Sequence, residues 1–68
     1  MRAVDLLIQH FDGQTNTAAK LGVKQPTVSG WVTGRHGMSE GTALKAEKLT
    51  GGKVKAVALC PRLADVLG

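Results

Sequence analysis

Residues 14–33, QTNTAAKLGVKQPTVSGWVT, read as two short helices joined by a tight turn. Gly22 pins that turn, because it supplies cheaply the positive φ that other residues resist. Ala18 lies one helical turn earlier, so no bulk intrudes where the helices cross. Leu21, Val23, Val28 and Trp31 provide apolar groups where such a pair must pack. The second helix begins near Gln25, with Pro26 in a first turn whose amides lack intrahelical partners anyway. A helix held this way fits the DNA major groove, about 12 Å wide, and presents side chains to base edges.

Upstream, residues 2–11 predict a helix, since Val4, Leu7, Ile8 and Phe11 form one apolar stripe. Asp5 suits the positive end of its dipole, and Asp12-Gly13 breaks it, with Gly13 available as a left-handed cap. The next helix covers residues 15–21, its N-cap being Gly13 or Gln14. The recognition helix covers residues 25–33, and residues 34–37, GRHG, form a flexible connector. Ser39 is placed to N-cap a fourth helix reaching residue 49, with Glu40 in its first turn and Lys45 and Lys48 toward its end. Thr50-Gly51-Gly52 stops it.

Residues 53–60, KVKAVALC, carry both a weak strand alternation and a helical stripe of Val54, Val57 and Ala58. Ala and Lys favour helix and the valines favour strand; a short helix is the preferred reading. Pro61 interrupts the segment, and residues 62–67 suit a last turn or two. The expected fold is all-α, a compact helix-turn-helix domain of four to five short helices spanning residues 1–68. The alternative is α+β, with residues 53–60 as a strand.

Composition bounds the function. A chain of 68 residues is near the lower limit for an unassisted core, so oligomerisation would add burial. Phe11 and Trp31 are the only aromatics, which leaves the core to Leu, Val, Ile and Ala. Cys60 is alone, excluding an intrachain disulfide, and reads as a small packing residue. No apolar run reaches the ~18 residues of a membrane span, and the first residues do not resemble a signal peptide. A cytoplasmic protein, associated with the nucleoid through DNA, is expected, with no membrane partner. The net charge is +4, and no Asp or Glu occurs between Gly13 and Ser39, where Lys20, Lys24 and Arg35 lie. Such a stretch suits a polyanion, because neutralised phosphates release counterions.

On the recognition helix Val28 and Trp31 point inward; the spacing makes Trp31 core rather than a base-stacking platform. Gln25, Pro26, Thr27, Ser29 and Gly30 are the candidate base-reading residues. A Gln amide can pair with N6 and N7 of adenine together, worth roughly 1–3 kcal/mol of discrimination. Pro26 offers an apolar surface to a thymine methyl, and Thr27 and Ser29 have short hydroxyls for base edges or phosphate. Gly30 in mid-helix admits two readings, close approach to the duplex or a neighbouring chain, or simple tolerance. Gln14, Lys24, Thr33 and Arg35 are the candidate phosphate contacts.

The run LGVKQPTVSGW, followed by GR and later by LTGGKV and a CPRL tail, resembles the small Cro-type repressors of prophages. Within these it is most similar to the group shared with YdaS-type antitoxin helix-turn-helix proteins. Members show an LGV turn, a Q-x-x-[VI]-S-x-W recognition helix, a fourth helix ending in T-x-G, and a closing L-x-P. The resemblance spans nearly the whole chain and is weakest in the tail. It implies that Gln25, Thr27, Ser29 and Gly30 sit on the reading face and Gln14, Lys24, Thr33 and Arg35 near phosphates. Relatives differ in the C-terminal region, some helical and some with a β-hairpin. Two departures stand out. Thr17 replaces a usual Leu, which predicts looser packing, and the loop at residues 34–37 lacks the familiar Val-Pro, which leaves Arg35 and His36 unplaced.

Three functions compete. The first is a sequence-specific repressor on a palindromic operator, acting as a homodimer, including one that forms only on double-stranded DNA. Its dimer surface would be Leu44, Val54, Val57 and Leu59, with Leu63, Val66 and Leu67 adding apolar groups. The second is an antitoxin-like module whose tail binds a protein partner. The third, an enzyme, is rejected: His10 and His36 have no partners at metal-ligand spacing, and no nucleophile motif or phosphate loop occurs. His36 reads as an exposed loop residue or a phosphate contact. No cofactor, metal or small-molecule ligand is expected, and single-stranded RNA is disfavoured by the lack of stacking aromatics.

Overall fold

The computed structural model describes the backbone of residues 2–67 and the side chains of residues 2–65. Six helices follow one another among them: α1 (Ala3–His10), α2 (Gln14–Leu21), α3 (Gln25–Thr33), α4 (Glu40–Leu49), α5 (Ala56–Leu59) and α6 (Leu63–Leu67). The fold is all-helical, with no strand among the described residues. The strand alternative for residues 53–60 fails for a local reason. Thr50 Oγ1 takes the Val54 amide at 3.2 Å, and the Glu47 carboxylate takes the Ala56 amide at 2.7 Å. Both amides are thereby committed to the end of α4, and α5 starts as a single turn. The count reaches six because the tail forms two short helices, broken at Cys60-Pro61.

Capping chemistry sets the helix ends. The Arg2 amide and guanidinium Nε both donate to Asp5 Oδ2, at 3.3 and 3.1 Å, fixing the start of α1. The left-handed residue that closes α1 is Asp12 (φ 64°) rather than Gly13. Asp is one of the few non-glycine residues that visit this region, and the Gly13 amide then returns to Ile8 O at 2.9 Å. Gly13 in turn is the N-cap of α2. Ser39 Oγ accepts the Thr42 amide at 3.3 Å and caps α4 as expected.

α1 packs on α2, α3 and α5; α4 lies against α2 and α5, and α6 closes on α5. Leu7 and Val28 are wholly buried, joined by Leu21, Trp31, Met38, Val54 and Leu63. Ala18, Ala43, Ala46 and Ala56 are buried too, and their small size lets helix axes approach closely. Cys60 is buried as a packing residue. Thr17 does not loosen the core. It is fully buried, and its hydroxyl donates to Gly13 O at 2.7 Å, so the polar group is satisfied inside the helix. No helix among the described residues is long and apolar enough to cross a membrane.

Candidate nucleic-acid interface

Gly22 ends α2 at φ 71°, and the Val23 amide turns back to Ala18 O at 3.0 Å. Lys45, on α4, donates to Leu21 O at 3.4 Å and ties down the same end. The turn therefore fixes α3 against α2, with Val28 and Trp31 facing the core. The opposite side of α3 is open. Gln25 and Pro26 are exposed, Thr27 and Ser29 half-buried, and Lys24, Thr33 and Arg35 exposed at its two ends. Lys20 is exposed as well, so this acid-free stretch displays its cations outward.

The first residues of α2 and α3 are joined. Gln25 Nε2 donates to Gln14 Oε1 at 2.7 Å across the turn. The sequence singled out each glutamine separately, one for bases and one for phosphate, but their pairing was not apparent. Gln25 keeps its carbonyl oxygen and a second N–H for another partner. Neither α2 nor α3 has an acid in its first turn or a side-chain cap on its first amides. Both N-termini thus retain their partial positive charge.

Gly30 is not on the open side. It is buried, and a Cβ added there would strike the Nε2 edge of the His36 ring, with Cδ2 and Cε1 only 2.6 and 2.7 Å away. Its place among the base-reading candidates is corrected accordingly: the close approach is made by His36. The connector at residues 34–37 is likewise anchored, because the Arg35 amide donates to Gly30 O at 3.0 Å. Thr33 Oγ1 turns to the same carbonyl at 3.3 Å.

Of the residues singled out as a dimer surface, Leu44 and Val57 are 47% and 40% exposed, and Leu59 is half-buried. Val54 is 4% exposed and belongs to the core, as does Leu63, so neither offers a surface. The side chains of Val66 and Leu67 lie outside the described residues. Among the described residues no three His, Cys, Asp or Glu side chains cluster as metal ligands.

Residues 4–65 of the chain match the family described as bacterial toxin YdaS. The chain belongs to this family. A curated relative is 60% identical over 55 residues, covering 81% of this chain and 75% of its own length. It is the regulatory protein Cro of Pseudomonas phage D3. No solved structure matches. The kinship that LGVKQPTVSGW suggested is present, although the YdaS family is described by a toxin rather than an antitoxin.

Proposed function

We propose that the chain is a sequence-specific, DNA-binding transcriptional repressor of the phage Cro type. The observation that carries this reading is the Gln14–Gln25 pair at the head of an open, acid-free α3. The pair presents an oriented amide where a recognition helix meets base edges. The 60% identity to a phage Cro regulator supports the same reading.

In this reading Gln25 reads an adenine, with Pro26, Thr27 and Ser29 beside it. Lys24 and Arg35 hold phosphates at either end of α3, joined by Thr33 and the head of α2 at Gln14. One helix reads only a few base pairs, so two copies act on a palindromic operator. Copy size favours this. The extents are 32 × 26 × 23 Å, and successive major-groove faces lie about 34 Å apart. Two copies set with their long axes along the duplex would reach adjacent grooves, and in this reading they meet through the exposed Leu44 and Val57 with Leu59.

The test is sedimentation of the chain with and without a duplex carrying its preferred site. Two chains per duplex, reduced to one by Leu44→Asp with Val57→Asp, is the result expected. Failure to bind any duplex would move the exposed Leu44 and Val57 to a protein-partner role.

A further inference from the structure

Gly30 and His36 meet in a way that base reading does not use. Gly30 sits in the middle of α3, where Gly weakens a helix relative to Ala. The missing Cβ leaves the hollow that receives the His36 ring edge. The Gly30 carbonyl is also where the following segment gathers: Arg35 N donates to it at 3.0 Å, Thr33 Oγ1 at 3.3 Å and His36 N at 3.5 Å. The last two are at or beyond the edge of good hydrogen-bond geometry. The Gly34 amide closes α3 on the same carbonyl, and with two lone pairs to share, only the Arg35 amide among the connector's donors makes a good bond there. His36 is exposed overall, but its ring edge rests on Gly30 and supplies a second contact for the connector.

What lies between the two contacts is Arg35, exposed just past the end of α3. A recognition helix lies in the major groove, between the two phosphate backbones. A cation immediately beyond such a helix reaches the phosphate backbone bordering the groove. We infer that Gly30 and His36 are positioning residues for DNA binding. Together they clasp the connector so that the Arg35 guanidinium is held ready for a phosphate. The inference rests on the repressor reading. It changes the meaning of Gly30, which serves affinity through Arg35 and does not read sequence.

The variants are Gly30→Ala, His36→Ala and the two combined. Ala raises helix propensity, and the displaced His36 has room, since it borders an open pocket of about 270 Å³ with Trp31 and Met38. G30A therefore stays folded, which circular dichroism checks. Amide hydrogen exchange at Arg35 and the His36 ring resonances report the clasp itself. Duplex binding as a function of salt reports its consequence. In G30A the Arg35 amide exchanges at least several-fold faster and the ring resonances move. The slope of log affinity against log salt becomes shallower by roughly 0.9, the value of one phosphate, with base preferences unchanged. The double variant binds no more weakly than H36A, because both substitutions undo the same clasp. G30A with wild-type exchange and salt slope, or losses that add in the double variant, would overturn the inference while leaving the repressor reading intact. A wild-type chain that binds no duplex would overturn both, even with the clasp visible in the exchange data.

Discussion

Gln25 donates its side-chain amide to the Gln14 side-chain oxygen at 2.7 Å, so two helices share one polar head through residues eleven apart in sequence. The bond fixes which way the Gln25 amide faces before any base arrives. An oriented side chain loses less freedom on binding than a mobile one. Gln25→Ala should therefore cost about 1–3 kcal/mol at one base pair and little elsewhere. Gln14→Ala should weaken the same base preference by a smaller amount. The double variant should fall short of the sum, as expected for touching residues. Competition between duplexes differing at single positions measures all three.

Cations at the ends of α3 should behave differently from Gln25. Lys24→Ala should weaken binding to all sequences alike, because a phosphate interaction carries no base information. Removing one cation from a phosphate should make the salt slope shallower by roughly 0.9. Titrations at several salt concentrations read this out; a change in base preference instead would place Lys24 in the groove.

Thr17 makes a stability prediction opposite to looser packing. Its buried hydroxyl bonds to Gly13 O, so Thr17→Val should destabilise by about 1 kcal/mol. For a domain of this size that lowers Tm by roughly 4–8 °C. Leu7→Ala, at a wholly buried site, should cost more, about 2–5 kcal/mol. Calorimetric melts rank the two.

The start of α1 responds to acid. The Arg2 guanidinium, hydrogen-bonded to Asp5, holds that carboxyl below its ordinary value of 3.8. A lowered folded-state pKa means that the contribution is complete above the ordinary carboxylate range. It is lost as pH falls through the lowered value. Asp5→Asn should flatten this part of the acid limb, and thermal melts at about pH 2 to 6 would show it. An Asp5 titration midpoint at or above 3.8, followed by NMR, would contradict the ion pair.

Local chemistry made some of the fold legible in sequence and hid the rest. The bounds of α3, residues 25–33, follow from Pro26 at the start and Gly34 at the end. Ser39 as a cap and Val28 and Trp31 as core follow from spacing alone. The Gln14–Gln25 bond did not, because it joins two elements and depends on their crossing angle. Gly30 was ambiguous for a similar reason: its neighbour, His36, reaches it through the connector rather than along the helix. Val54 reads as apolar and surplus in sequence, yet Thr50 bonds its amide and sets it in the core. Met38 has no periodic apolar partner in the sequence to mark it as core, yet its side chain is 4% exposed.

The most direct test is selection from a random duplex pool with sequencing, at fixed salt, for the native chain and Gln25→Ala. Enrichment of a two-fold symmetric site, with one base preference per half-site lost in the variant, is the result expected of a dimeric repressor reading through Gln25. Salt-sensitive binding with no enriched sequence, or an unchanged motif in the variant, would contradict it.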